Sequence, residues 1–433
     1  MRLKLLMRLK FAVMDVGLKP DLRPGALLLQ AGLQPESDKQ RTTRRSGFSP
    51  KAAMQRNTAH AGIPPVKPGQ ALWRTMVQQA VKTILSLTIA LLLAGPHAWA
   101  EEAPPVKAAP QAKAQATPDL VWPSPPLPPR IRYLGSVSSP EDIGRKKGFF
   151  RKAWEFIRGE QDDEQIARPM AVALDGRDRL LVADTKRGRV HIFDRRKGEY
   201  SSLRGSKWET LRLPIGLAVD GKDNIYVADG ELNRIFIFRP DGKFDRMLDT
   251  AAWLKRPSAL AIDRARQRLY VADTPAHDIK VVDLPTGKVH SVIGRRGEAH
   301  GEFNFPTFVA LDRQGHLAVT DSMNMRIQIF DAAGRLVSAF GKHGDGSGDF
   351  SAPKGVALDS EGHVYVADAG FDNIQVFDEA GELLLIWGTS GQEAGKFWLP
   401  AGLLIDAQDR IYVADSYNKR VQIFQYVGGR NAK

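Results

Sequence analysis

Six aspartates are the first residues of this chain whose types and spacing suggest chemistry. Each one ends a V-A-D or V-T-D triplet, and successive copies lie 44 to 48 residues apart. These aspartates are Asp184, Asp229, Asp273, Asp321, Asp368 and Asp415. Five residues after them stand Arg189, Arg234, Asp278, Arg326, Asn373 and Arg420. Such a ring either binds a polar ligand or forms a repeated structural cap, in which each Asp accepts hydrogen bonds from loop amides and the Arg pairs with the Asp. Repetition in four of six copies favours the cap.

The third and fifth copies depart from this pattern, because Asp278 and Asn373 replace the arginine. Losing the arginine frees Asp273 and Asp368 for other work, so these four residues are candidates for ligand contact. Three histidines, His277, His300 and His343, fall in nearby loops. Imidazoles on neighbouring loops either bind a metal, serve as acid or base groups, or are simply solvated.

A repeat of about 45 residues must position these side chains. A proline stands 15 or 16 residues before each aspartate, and each copy reads as four strands separated by turns. The copies therefore begin at Pro169, Pro214, Pro257, Pro306, Pro353 and Pro400. Six four-stranded antiparallel units predict an all-β, six-bladed β-propeller. The sixth copy lacks a fourth strand, and residues 131–136 resemble one, so we expect them to close the ring and their deletion to be severely destabilising.

The motifs P-x-G-[LV]-A-[LV]-D, I-Y-V-A-D and N-x-R-[IV]-Q-[IV]-F resemble the NHL repeat family over residues 131–426. The segment from Gly388 to Phe397 strengthens the resemblance. It implies a six-bladed propeller but no single activity, because NHL propellers include protein-binding modules, RNA-binding modules and amidating lyases.

The amidating lyases place metal-binding histidines directly after the opening proline of some blades. Here those positions hold Met170, Ile215, Ser258, Thr307, Lys354 and Ala401, none of them histidine. The first strands also contain no acidic residue before their terminal Asp. This argues against an enzyme, although a metal-dependent lyase or hydrolase using His277, His300 and His343 stays as an alternative.

RNA binding is the other alternative and would require a basic face with stacking aromatic rings. Arg295, Arg296, Lys342 and Lys354 are the candidates for it, and they read equally as a solvated rim. Residues 1–100 hold 15 Lys/Arg and 4 Asp/Glu, a balance of +11, which leaves only +2 of the net charge of +13 for residues 101–433. A nearly neutral propeller gives RNA binding little support.

The first 130 residues divide into three parts. Residues 76–100 have the charged start, apolar stretch and Ala98-Trp99-Ala100 site of a signal peptide, cleaved near Ala100. Residues 1–75 are then an extension or a misassigned start, and the Pro/Ala-rich residues 101–130 form a linker. The mature protein is therefore expected to be periplasmic or secreted.

Residues 138–168 fit no repeat and predict one amphipathic helix before the first blade. Phe150, Trp154 and Ile157 share its apolar side. The helix either packs over one end of the propeller or makes peripheral contact with a membrane or partner. The sequence as a whole predicts an exported, non-catalytic propeller that binds a protein or envelope component, with no cofactor expected beyond a metal at the three histidines.

Overall fold

The chain forms a ring of six antiparallel β-sheets, seen in a computed structural model that describes residues 118–145 and 164–428. The predicted signal peptide, the extension before it, most of the predicted linker, and Phe150, Trp154 and Ile157 lie outside these residues. Five sheets each hold four strands that follow one another along the chain, and the sixth joins the last three strands to two strands from before the first repeat, which confirms the six-bladed all-β propeller. Within the described ranges, no helix has the length and apolar character needed to span a membrane.

The strands of the first three blades follow one another along the chain. Blade one contains β3 (Pro169–Leu174), β4 (Leu180–Asp184), β5 (Arg189–Asp194) and β6 (Glu199–Leu203). Blade two contains β7 (Pro214–Val219), β8 (Ile225–Asp229), β9 (Arg234–Phe238) and β10 (Phe244–Met247). Blade three contains β11 (Pro257–Asp263), β12 (Arg268–Asp273), β13 (Asp278–Asp283) and β14 (Val289–Ile293).

The last three blades repeat the same order. Blade four contains β15 (Pro306–Leu311), β16 (Leu317–Asp321), β17 (Arg326–Phe330) and β18 (Leu336–Phe340). Blade five contains β19 (Pro353–Leu358), β20 (Val364–Asp368), β21 (Asn373–Phe377) and β22 (Leu383–Trp387). Blade six contains β23 (Pro400–Ile405), β24 (Arg410–Asp415), β25 (Arg420–Tyr426), β2 (Ile131–Val137) and β1 (Val121–Trp122). Three short 3₁₀-helices cover Pro140–Ile143, Thr274–Ala276 and Ser322–Asn324.

The first strands of the blades line the centre of the ring. Each contacts the first strands of its two neighbours, and β23 of blade six contacts β3 of blade one, so the ring is closed. The apolar core consists of the layers between successive blades, where the second and third strands bury almost every side chain. At the junction of blades six and one, the Ser416 hydroxyl donates to the Pro169 carbonyl.

Blade six combines strands from both ends of the propeller. Strand β2 pairs antiparallel with β25, with Tyr133 opposite Phe424, and buries Ile131 and Tyr133 in the layer between blades five and six. Strand β1 pairs with β2 in turn, and the Trp122 ring packs edge-on against Phe424 at 5.8 Å between centroids. The predicted linker to residue 130 is therefore too long, because the apolar side chain of Trp122 belongs to the blade.

Phe303, Phe350 and Phe397 anchor the Gly-rich connections into blades four, five and six, and all three rings are fully buried. The connection into blade six begins at Gly388, whose φ of +87° favours glycine. A Cβ there would lie 2.4 Å from the Phe397 ring. These compact connections place the segment that enters each of these blades against the loop that follows its second strand.

Candidate functional site

Two sets of loops meet on one side of the propeller, which we call the loop face. They are the connections from each fourth strand into the next blade and the loops between second and third strands. The register shows that they meet, since Pro169 at the start of β3 pairs with Asp184 at the end of β4. The turns between first and second strands lie on the opposite side, the turn face.

The six predicted aspartates hold the loop face together. All six are fully buried, and each accepts backbone N–H groups from the entry segment of its own blade. Asp368 is representative, accepting from Ser351 (2.8 Å), Ala352 (2.9 Å), Gly370 (2.8 Å) and Phe371 (3.2 Å). One carboxylate thus ties the entry segment to the loop after the second strand. This is the arrangement of a structural cap.

The predicted Asp–Arg pair forms in blades four and six. Arg326 Nε donates to Asp321 Oδ2, and Arg420 Nε donates to Asp415 Oδ2, each at 2.8 Å. The same two guanidinium groups also donate to backbone carbonyls of the preceding connection, Arg326 to that of Glu302 at 2.9 Å. Because these arginine side chains are largely buried, each pair braces the connection and presents no open ligand site.

The predicted pair is wrong in blades one and two. Arg234 binds Glu209 at 2.5 Å, because the connection into blade two carries this competing carboxylate, while Asp229 accepts four backbone amides. Asp184 makes its side-chain hydrogen bond with His191 instead of Arg189.

The prediction that Asp273 and Asp368 are free in blades three and five is also wrong. Asp273 accepts from the amides of Lys255 (2.8 Å) and Arg256 (2.9 Å), so backbone groups alone are enough to engage the carboxylate. Asp278 pairs with Lys280 at 2.6 Å, and burial raises its pKa. In Asn373, the buried amide oxygen has no hydrogen-bond partner among the described residues.

A buried polar position in the third strand was missed by the sequence analysis. Gln328 and Gln422 donate to the carboxylates of Asp321 and Asp415 and also to a carbonyl of the preceding connection. The signal was a polar residue seven positions after the Asp, in the motif R-[IV]-Q-[IV]-F. His191 holds this position in blade one.

His191 links two side chains in the interior of blade one. Its Nε2 lies 3.2 Å from Asp184 Oδ2 and its Nδ1 lies 2.9 Å from the Tyr200 hydroxyl. Burial lowers the pKa of His191 in spite of the nearby carboxylate. Burial opposes ionisation of Asp184, but the hydrogen bonds from His191 and from backbone amides outweigh it and lower the pKa of Asp184. The neutral ring therefore donates from Nε2 to the carboxylate and accepts from Tyr200.

This arrangement predicts acid sensitivity in blade one. Because the pKa of His191 is lower in the folded protein than the usual 6.5, the unfolded chain binds the proton more tightly, and the free energy of unfolding falls as the pH drops below about 6.5. His191→Gln places in blade one the residue that blades four to six carry at the same position, and it is expected to reduce this loss of unfolding free energy at low pH. Urea unfolding at pH 7.5 and pH 5 measures it. Since both proteins share every other histidine, equal falls would contradict the role of His191.

The three loop histidines do not form a metal centre. The His277 side chain is buried, and its Nδ1 accepts from the Phe305 amide at 3.2 Å. His300 and His343 are exposed. In the described part of the chain, no group of three or more His, Asp or Glu side chains could hold a metal ion. His277 instead orders the entry to blade four, with its ring 4.4 Å from that of Phe305.

Aromatic and apolar side chains are what the loop face exposes instead. Trp398 is 38% exposed, and its ring lies 5.4 Å from that of Tyr417. The Arg168 guanidinium lies 5.2 Å from the Tyr417 ring on the blade one side, so the three side chains form a continuous cluster across the junction. In blade four, Phe305 and Met323 are 41% and 54% exposed. These residues can recognise a partner by contact.

Comparison with known proteins agrees with this fold. The NHL repeat family model matches residues 211–238, 303–330, 350–377 and 397–424, so blades two, four, five and six of the propeller contain NHL repeats. No curated protein is similar to it in sequence. A structure of a protein of unknown function from Bacteroides thetaiotaomicron is 14% identical, with a TM-score of 0.51 and coverage of 67% of this chain and 75% of that one. Virginiamycin B lyase from Staphylococcus aureus is 12% identical, with a TM-score of 0.45 and coverage of 62% and 97%. At 14% identity, the likeness to the first of these two structures shows a shared fold alone.

Proposed function

We propose that this protein is a binding module that holds a partner protein against its loop face and acts by recognition, without catalysis. The observation that carries the proposal is the partly exposed cluster of Arg168, Tyr417 and Trp398 at the junction of blades six and one. Tyrosine, tryptophan and arginine dominate the residues that supply binding energy in protein interfaces. Phe305 and Met323 extend the apolar surface on the same face.

The structural roles of the ring aspartates and of His277 support the same proposal. The six ring aspartates are fully buried and engaged with backbone amides, and His277 supports an entry segment. The six aspartates and His277 are thus part of the framework of this face. The signal-peptide pattern of residues 76–100 supports a role in the cell envelope or outside the cell.

Site-directed photocrosslinking in the source cells tests the proposed function. A photoreactive residue replaces Met323 on the loop face, Lys222 on the turn face or Val337 on the outer rim, all of them exposed positions. We expect a discrete crosslinked protein from position 323 and none from the two controls. Trp398→Ala should reduce that crosslink about tenfold or more, because truncating a central aromatic residue typically costs about 2 kcal/mol or more of binding. Equal crosslinking from all three positions would contradict the proposal.

A further inference from the structure

The loop face is divided by charge around the mouth of the central channel. We define the mouth positions as the two residues before each opening proline and the second and third residues after each ring aspartate. In blades one to three these positions carry six cations and one acid: Arg168, Lys186, Arg187, Arg212, Lys255, Arg256 and Glu231. In blades four to six they carry no charged residue.

The cationic half is open to solvent. Arg168, Lys186, Lys255 and Arg256 are exposed, and none has an ion-pair partner within 4.0 Å among the described residues. Nearby acids are already paired: Glu209 with Arg234, Asp278 with Lys280, and Glu231 with Arg212 at 3.3 Å, an exposed ion pair within the mouth itself. The five exposed cations, which we call the cationic arc, are Arg168, Lys186, Arg212, Lys255 and Arg256.

The other half presents apolar surface. Trp398, Met323 and Phe305 are exposed, and Phe371 and Tyr417 are half-buried beside them. The carboxylate of Asp372, which follows Phe371, accepts from the Leu399 amide at 2.6 Å and so forms part of the loop framework. The five apolar residues, which we call the apolar arc, are Phe305, Met323, Phe371, Trp398 and Tyr417.

We propose that the partner of the loop face is a peptide segment in which aspartate or glutamate stands beside aromatic or aliphatic residues. Its carboxylates lie on the cationic arc and its apolar side chains on the apolar arc. This inference rests on the proposed function and adds to it the chemistry of the partner. Electrostatic complementarity then sets the orientation in which the segment docks.

A single-stranded nucleic acid fits the division less well. Phosphates and bases alternate at every nucleotide, so a strand needs cations and stacking rings in alternation along its path. Here the two kinds of side chain occupy different halves of the mouth. The Tyr417 ring is already in contact with both Arg168 and Trp398, and Met323 offers no ring to stack on.

Selection of peptides from a random displayed library on the purified protein tests this inference. Selected peptides are synthesised and their affinities measured for the wild type, for Trp398→Ala, for Lys255→Glu/Arg256→Glu and for the turn-face control Lys222→Glu. All the substituted side chains are at least partly exposed, and thermal unfolding checks that each variant folds. We expect acidic residues next to apolar ones in the selected sequences. We also expect affinity to fall about tenfold or more in Lys255→Glu/Arg256→Glu, to fall in Trp398→Ala, to stay unchanged in Lys222→Glu and to weaken with added salt.

Other outcomes separate the two proposals. One such outcome is a set of peptides without acidic enrichment that bind Trp398→Ala more weakly than the wild type but bind Lys255→Glu/Arg256→Glu equally well. That result would overturn the inference and leave the proposed function standing. If the selected peptides bind both loop-face variants as tightly as the wild type, or if the library yields no peptide, the proposed function itself is contradicted. If a single-stranded oligonucleotide binds the loop face more tightly than the best peptide, the peptide proposal is overturned, and the partner is a nucleic acid.

Discussion

Removing residues 1–137, which deletes β1 and β2, is expected to abolish the single cooperative unfolding transition of the propeller. Blade six would keep only the three strands β23, β24 and β25, and β25 would become an exposed edge. The layer that holds Tyr365, Trp387 and Phe424 would lose the buried side chains of Ile131 and Tyr133. Calorimetry of the truncated and full-length proteins measures this loss. A truncated protein that unfolds in one transition near the original Tm would contradict closure by β2.

Single substitutions in β2 give the matched control. Tyr133 is 7% exposed and packs 5.5 Å from the Phe424 ring, so Tyr133→Ala is expected to lower the free energy of unfolding by about 3 to 5 kcal/mol. Arg132 points to the other side of the same strand, and half of its side chain is exposed. Arg132→Ala should therefore cost about 0.5 kcal/mol or less. Similar losses in the two variants would indicate that β2 does not pack as described.

Asp368→Ala is expected to lower the free energy of unfolding by about 3 kcal/mol or more. The carboxylate accepts four backbone amides at 2.8 to 3.2 Å, and all four donors would lose this partner together. A buried donor left unsatisfied costs about 1 to 3 kcal/mol, reduced where water enters.

Two further variants and urea unfolding complete the test. Asp368→Asn keeps one acceptor oxygen and should lose less than Asp368→Ala. Asp345→Ala removes an exposed carboxylate from the preceding connection and should change the free energy of unfolding by less than about 0.5 kcal/mol. If Asp368→Ala were as stable as Asp345→Ala, the ring would not be a structural cap, and its aspartates would again be candidates for ligand binding.

The sequence predicts the blades well because their signals are local and repeated. The opening proline and the V-A-D or V-T-D triplet recur in all six copies, so each boundary is supported by five others. Strand β1 carries no such signal. It has two residues in a proline-rich segment, and it joins the blade by pairing with β2 and by packing of Trp122 against Phe424, which is about 300 positions away in the sequence.

Side-chain partners on the loop face follow less directly from the pattern. Arg326 and Arg234 hold the same repeat position, yet Arg234 pairs with Glu209 because the connection into blade two differs from those of blades four to six. The prediction that Asp273 is free to contact a ligand was wrong for a related reason. A carboxylate at this position is satisfied by backbone amides, which every residue except proline supplies, so loss of the arginine releases nothing.

Hydrogen–deuterium exchange of the protein with and without its crosslinked partner tests the central claim, that the loop face is the binding surface. We expect slower exchange of amides around the mouth, in residues 253–256, 304–307, 322–325 and 416–419, and unchanged exchange in the turn-face residues 220–224 and 406–410. Protection confined to the turn face or to the outer strands would contradict the claim.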